Sequence, residues 1–350
     1  MSAPAIIVDG CTITPDSLAT WRQGRGGIQA NLADFLTEWW SDSPGIELQT
    51  SGSTGAPKRM IATREAMQAS AEASCRFFGL KPGDTALLSL PLQYIAGKMM
   101  VVRALVGGLN LITAEPSSTP LTGLTGPIVF APMVPMQVAT TLAQPNGAEQ
   151  LARVRTLLLG GGFVDPALEE QLQALPCRVF TSYGMTETLS HIALRAANGP
   201  ERSDWYTPLP GVSLTLTPAG TLQITVPYLQ IHRLETNDLA EIGVNGSFRI
   251  LGRADAVINS GGVKIQAEDI EQELHRLTGL CVLALPLPHP VLGQCVAILW
   301  EGPDDAACAI QSACATLPKY HRPHLIKRVA LPRTTSGKVA RKQAAALLAD

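Results

Sequence analysis

The spacing of apolar residues changes period several times along the chain, and those changes outline its elements. Within the first 49 residues, helical spacing is clearest over residues 31–40. Ile46-Glu47-Leu48-Gln49-Thr50 then alternates as a half-buried strand does. Thr63, with Glu65 and Met67 behind it, is a fair helix N-cap and predicts a helix running to about Phe78. Lys81-Pro82-Gly83-Asp84 reads as a turn. Strands at 85–91, 109–114, 128–131, 154–159 and 178–183 are then spaced by helices at 96–106, 136–142 and 166–174. Such alternation predicts an α/β domain built on a largely parallel sheet. From residue 211 to 250 the runs become short and alternating, punctuated by Gly and Pro, which predicts antiparallel strands forming a small barrel. Residues 256–350 mix a helix at 269–276, strands at 282–285 and 296–299, and a last helix from Val339.

Composition narrows the classes of function. The 350 residues are 46% hydrophobic and 16% charged, enough to bury a large core in one large or two unequal domains. Net charge is −2 without a run of like charges, so nucleic acid is not an expected partner. Seven cysteines, odd in number and without a Cys-x-x-Cys pair, suit reduced thiols in the cytoplasm. The N-terminus has no basic segment followed by an apolar one, so no secretory signal is expected. Residues 116–148 carry no charge, but Pro and Gly interrupt them too often for a membrane helix. Nothing in the composition fixes the oligomeric state, a homodimer included.

The chemistry gathers around Thr50-Ser51-Gly52-Ser53-Thr54-Gly55-Ala56-Pro57-Lys58. Its glycines let backbone approach a ligand, its hydroxyls and N–H groups can ring an anion, and Lys58 adds a fixed positive charge. A Walker A loop is excluded because Pro57 stands where the second glycine belongs, and a nucleophile elbow because Ser51 replaces its first glycine. By composition alone, a flexible Gly/Ser surface turn would be the better reading. Further on, Gly160-Gly161-Gly162 ends an apolar strand, where ligands of parallel sheets lie. Ser182-Tyr183-Gly184-Met185-Thr186-Glu187-Thr188 follows another strand and offers a ring, hydroxyls and a carboxylate able to hold Mg²⁺.

Taken together these stretches resemble the adenylate-forming superfamily of acyl-CoA synthetases, luciferases and peptide-synthetase adenylation domains. The 50–58 loop matches its phosphate loop and 183–187 its Tyr-Gly-x-Thr-Glu motif. Thr236-Asn237-Asp238 stands for Thr-Gly-Asp, with Asn expected to tolerate the left-handed turn. Gly252-Arg253-Ala254-Asp255 matches the segment joining the two family domains. Gly261-Gly262, Glu268–Glu271 and the C-terminal Pro332-Arg333-Thr334-Thr335-Ser336-Gly337-Lys338 follow in family order. Within the superfamily, residues 90–100 and 183–195 look most like o-succinylbenzoate–CoA ligases of menaquinone biosynthesis.

The resemblance implies the adenylate-forming fold: a large multi-layer α/β domain over 1–253, shortened at its start, with a small antiparallel part. A mobile α+β lid over 254–350 would turn about Asp255. It implies ATP, Mg²⁺, CoA and a small carboxylic acid as ligands, with an acyl-AMP intermediate. The 50–58 loop would hold the phosphates, and the adenosine would meet Gly160–Gly162, Ser182, Tyr183, Gly184, Met185, Asp238 and Arg253. Thr186 and Glu187 would serve catalysis and the metal, Lys338 the α-phosphate, and Gly261 and Gly262 the CoA tunnel. Tyr94, in place of a usual histidine, would line the acyl pocket, with Lys98 and His191 as candidates to meet a second carboxylate. A ligase for another acid, a carrier-loading adenylation domain and a nucleotide-binding pseudoenzyme remain as alternatives; the intact Lys58, Glu187, Asp238 and Lys338 speak against the last.

Overall fold

The computed structural model describes residues 5–49, 59–334 and 339–348. The chain opens with strands β1 (Ile6–Val8) and β2 (Cys11–Ile13), then helices α1 (Pro15–Arg22) and α2 (Gly27–Trp39). Only α2 has the spacing that betrays a helix, with Ile28, Leu32, Phe35, Leu36 and Trp39 buried along one face. α1 buries Leu18 alone and is specified instead by its start: the Thr14 hydroxyl accepts from the Ser17 N–H at 3.3 Å and Pro15 fills the first turn.

β3 (Ile46–Gln49) and β4 (Arg59–Ala62) form a separate antiparallel ribbon in which Gln49 pairs with Arg59. The residues that flank the 50–58 segment are therefore neighbours. α3 (Arg64–Phe78) is capped by Thr63 and ends at Gly79, whose φ of 63° admits few other residues. Then come β5 (Thr85–Leu88), α4 (Ile95–Gly107), β6 (Asn110–Thr113), β7 (Ile128–Met133), α5 (Pro135–Leu142), α6 (Gly147–Ala152) and β8 (Val154–Leu159). α7 (Pro166–Leu172), β9 (Arg178–Gly184), β10 (His191–Ala196) and β11 (Thr207–Pro208) follow. The nine strands run in the order β11-β10-β9-β8-β7-β5-β6-β1-β2. From β9 through β1 neighbours are parallel, while β10, β11 and β2 pair antiparallel at the edges.

β12 (Ser213–Leu216), β13 (Thr221–Val226), β14 (Ile231–Ile242) and β15 (Phe248–Arg253) form a four-stranded antiparallel sheet in chain order. This corrects the expected barrel: the strands form an open meander, and the long β14 shifts register where it meets both neighbours. The C-terminal part contains β16 (Val257–Ser260), β17 (Val263–Gln266), α8 (Ala267–Thr278), β18 (Cys281–His289), β19 (Gly293–Glu301), α9 (Ala307–Thr316), β20 (Leu325–Arg328) and α10 (Arg341–Ala346). Its five strands form one sheet, flanked by α8 and α9. Among the described residues, no cluster of buried apolar side chains crosses residues 253–255. No helix among them is long and apolar enough to cross a membrane.

Candidate active site

β8 and β9 are parallel neighbours, so the turns that leave them lie side by side at the carboxyl edge of the large sheet. After β8, a Cβ on Gly160 would stand 2.8 Å from the Ser182 hydroxyl, which itself donates to the Leu159 carbonyl at 2.9 Å. Bare backbone is thus a packing requirement at Gly160, and Gly161 adds a φ of +76°. After β9, Gly184 passes so close to β10 that a Cβ would sit 2.3 Å from the Ser190 carbonyl oxygen.

Thr186–Thr188 forms a short 3-10 turn whose Thr188 hydroxyl accepts from the Met185 N–H at 2.9 Å. Leu189 then takes φ 61° and ψ −37°, and the Ser190 N–H donates to the Thr188 carbonyl at 2.6 Å. This is a γ-turn with positive φ on a leucine, a rare and strained conformation. Leu189 is buried, so packing holds it there. The turn leaves Glu187 exposed.

Three side chains far apart in sequence converge beside these turns. Tyr183 donates its hydroxyl to Asp238 Oδ2 at 2.6 Å, and Arg253 Nη1 donates to Asp238 Oδ1 at 3.1 Å. Strand register accounts for the second contact, since Asp238 on β14 lies opposite Arg253 on β15. Arg253 also donates through Nε and Nη2 to both oxygens of Asp255, at 2.9 and 3.0 Å. Burial, with the Asp238 carboxylate second, pushes the Tyr183 phenol well above its usual range and keeps it a donor. The hydrogen bond from Arg253 holds the Asp255 carboxyl below its usual range. The Tyr183 ring packs edge-on against Phe248 at 5.1 Å, and Phe248 stacks on Tyr206 at 5.5 Å. Asn237 lies inside β14 and is not among the positive-φ residues. The left-handed turn expected there is corrected to extended strand, which needs no glycine.

On the other side of the Tyr183 motif, α4 starts at Tyr94. Gly97 lies so close to the preceding turn that a Cβ would be 2.5 Å from the Pro91 carbonyl oxygen. Lys98 donates to the Glu47 carbonyl at 2.9 Å, pairs with Glu38 at 3.7 Å and lies 5.6 Å from the Phe35 ring centre. His191 is buried elsewhere: its Nε2 is 2.9 Å from the Ser74 hydroxyl and its Nδ1 3.3 Å from that of Ser190. Burial, and then the charge of Arg103, lowers the His191 pKa well below its ordinary value, so the ring is neutral. The structure therefore sends Lys98 and His191 to different neighbours.

Arg103, which the motif comparison passed over, is the cation beside His191. It donates to the Ser190 hydroxyl, and burial pushes its pKa down to about 10, so it stays charged at neutral pH. Its Nε has no hydrogen-bond partner, and among the described residues no carboxylate pairs with it. A sequence signal was available: Arg103 is the lone charge within Met99-Met100-Val101-Val102-Arg103-Ala104-Leu105-Val106.

In the C-terminal part, Gly261 and Gly262 join β16 to β17 with φ of +58° and +83°, the geometry of a tight hairpin turn. His275 Nε2 lies 2.7 Å from the Asp165 carboxylate, linking α8 to the residue that caps α7. Thr50, Ser51, Gly52, Ser53, Thr54, Gly55, Lys58 and Lys338 lie outside the described residues.

Residues 34–223 match the family described as AMP-binding enzyme, and the chain belongs to that family. It is similar to a 2-succinylbenzoate–CoA ligase of Salmonella typhimurium, at 28% identity over 262 residues. That match takes in 71% of this chain but only 56% of the relative, so the chain spans about half the length of such curated relatives. A solved acyl-CoA synthetase (AMP-forming)/AMP-acid ligase II-like protein from Dyadobacter fermentans is 35% identical. That comparison has a TM-score of 0.64 and covers 95% of this chain and 97% of that one. The o-succinylbenzoate CoA synthetase of Bacillus subtilis, solved with its acyl-adenylate, shares the fold at a TM-score of 0.72 and 22% identity, over 87% of this chain and 69% of that one. The adenylate-forming fold expected from the motifs is thus the one observed.

Proposed function

We propose that this protein is an ATP-dependent acid–CoA ligase working through an acyl-AMP, with o-succinylbenzoate as its acid. The observation that carries the reading is the meeting of Tyr183, Asp238 and Arg253 beside the bare Gly160 turn. A flat base would stack near the Tyr183 ring over glycine backbone, and an acceptor-only carboxylate at Asp238 suits ribose hydroxyls. The 50–58 segment would cradle the β- and γ-phosphates. Among the described residues no group of three His, Cys, Asp or Glu could cage a metal. An exposed Glu187 still fits Mg²⁺, which takes one or two carboxylates and completes its shell with phosphate oxygens and water. Bound there, Mg²⁺ would neutralise phosphate charge.

The chemistry needs no covalent enzyme intermediate. The acid's carboxylate oxygen attacks the α-phosphorus and pyrophosphate leaves. The CoA thiol then loses its proton to solvent, attacks the acyl carbonyl and expels AMP. The chain supplies position and charge: Lys338 bridges the attacking carboxylate and α-phosphate, while Tyr183, Asp238 and Arg253 fix the nucleoside. Residues 1–253 and 254–350 act as two domains hinged at Asp255, a division supported by buried clusters that stop on either side. Turning the lid would exchange Lys338 for the Gly261-Gly262 face in the thiol step. The second carboxylate of o-succinylbenzoate would be met by Arg103, because a buried guanidinium without an acid partner calls for an anion. Lys98 already has Glu38. ATP, CoA and the acid place the enzyme in the cytoplasm.

The test is pyrophosphate release across a panel of acids, with and without CoA. o-Succinylbenzoate should give release without CoA and its CoA thioester with it. Release with an acid but no thioester from CoA would favour a carrier-loading domain, and no release with any acid would overturn the proposal.

A further inference from the structure

The geometry points to Glu271 and Arg341 as positioning residues for Lys338, acting as a clamp on the chain that leaves it. The inference rests on the role given above to Lys338. Val339 follows Lys338 directly and pairs with Arg333 across an antiparallel bridge, and the Ala340 N–H donates to the Pro332 carbonyl at 2.7 Å. Both sides of this closed base are then fastened to the C-terminal sheet. On the incoming side, Arg333 Nη2 donates to Glu301 at 2.6 Å. On the outgoing side, Arg341 Nη2 reaches both oxygens of Glu271, at 2.8 and 2.9 Å, while its Nη1 donates to the Ala284 carbonyl at 2.7 Å.

The outgoing side is the stronger fastening. Glu271 also accepts from the Ala284 N–H at 2.8 Å, so carboxylate and guanidinium together hold the N–H and C=O of one residue of β18. Their side chains are 17% and 29% exposed, against 38% and 45% for Glu301 and Arg333. A two-pronged pair with a shared backbone partner allows one orientation, where a point contact would allow many. Removing it would leave Lys338 on a backbone free to shift. A misplacement of about 1 Å can cost about 10²-fold in rate.

The same carboxyl makes the clamp sensitive to pH. Burial raises the Glu271 pKa to about 7 against the lowering effects of Arg341 and the Ala284 N–H, and the nearby charge of Glu268 raises it further. Below pH 7 the carboxyl takes up a proton and the ion pair with Arg341 is lost. Adenylation by the wild type should therefore fall as pH drops through about 7.

The two half-reactions separate this role from a merely structural one. Glu271→Gln and Arg341→Met should each lower pyrophosphate release about 10–100-fold and spare CoA transfer from synthetic o-succinylbenzoyl-AMP. That second assay also reports whether the lid is folded. Glu271→Gln should lack the limb near pH 7, and should cost nothing further in a Lys338→Ala background, because it acts only through that lysine. Unchanged release in Glu271→Gln, equal damage to both steps, or an added loss in the double variant would overturn the clamp while leaving the proposed reaction standing. If Lys338→Ala alone released pyrophosphate normally, the clamp and the mechanism would fall together.

Discussion

The two parts of the molecule place their polar groups by opposite means. In the large part, Tyr183, Asp238 and Arg253 come from three strands and are locked to one another across strand registers. In the C-terminal part, one short stretch is anchored at both ends, through Arg333 to Glu301 of the sheet and through Arg341 to Glu271 of α8. The first arrangement keeps a ligand still. The second turns a loop into a rigid attachment of whatever carries it. Damage to the first should show in binding, and damage to the second in the rate of one step.

The largest effect is expected from Lys338→Ala. Pyrophosphate release should fall about 10²–10³-fold, the usual cost of one preorganised charge contact. CoA transfer from synthetic acyl-AMP should persist, and stopped-flow measurement of each half-reaction separates the two. Equal loss in both would erase the contrast between the parts.

Asp238→Ala should act on binding instead. Hydrogen bonds to charged groups contribute about 1.5–3 kcal/mol, so the KM for ATP should rise about 10–100-fold with a smaller change in kcat. A change in kcat alone would mean that the carboxylate does not hold the nucleoside.

Arg103→Met sharpens the comparison inside the large part. The KM for o-succinylbenzoate should rise about tenfold or more, as for loss of a charged hydrogen bond, while the KM for ATP stays put. Replacing a buried cation by an apolar chain should leave thermal stability unchanged or raised. Lys98→Ala should leave the acid's KM alone. If Lys98→Ala raises it and Arg103→Met does not, the assignment is reversed.

The smallest effect belongs to Gly184→Ala, whose first consequence is steric, between β9 and β10 beside the proposed nucleoside site. The new methyl group must push β9 from β10, at a cost of about 1–3 kcal/mol. Calorimetry should show Tm lowered by several degrees, at about 2–4 °C per kcal/mol for domains of this size.

Much of the fold was legible because it is periodic. The alternation from 85 to 183 placed β5 to β9 with α4, α5 and α7 in the right order, though the short α6 and the parallel strand β1 were missed. α1 escaped because its one buried side chain leaves no period to read, and its cap is too common a pattern to stand alone. The expected barrel failed because alternation shows that strands exist and says nothing about whether the last meets the first. Sequence motifs also named Tyr183, Asp238 and Arg253, yet their hydrogen bonds depend on strand register and on contact between two sheets, across as many as 55 residues, which no local pattern records. The Leu189 γ-turn was invisible, since leucine is a poor candidate for positive φ and only its burial holds it there. Glu271 entered only within the Glu268–Glu271 match and Arg341 not at all, because a pairing across 70 residues leaves no local signal.

Arg253 has a mechanical consequence of its own. Its guanidinium grips Asp238, rooted in β14, with one nitrogen and Asp255 with two others. The proposed joint between the four-stranded meander and the C-terminal sheet would therefore have a notch: torsion at residues 254–255 would release one carboxylate before going far. With Arg253 and Asp255 each 39% exposed, mobile ions reach the pair, and at physiological ionic strength they screen charge over about 8 Å. Salt thus sets the depth of the notch. Motion at this joint should quicken as salt is added, while the half-buried Tyr183–Asp238 bond keeps its grip.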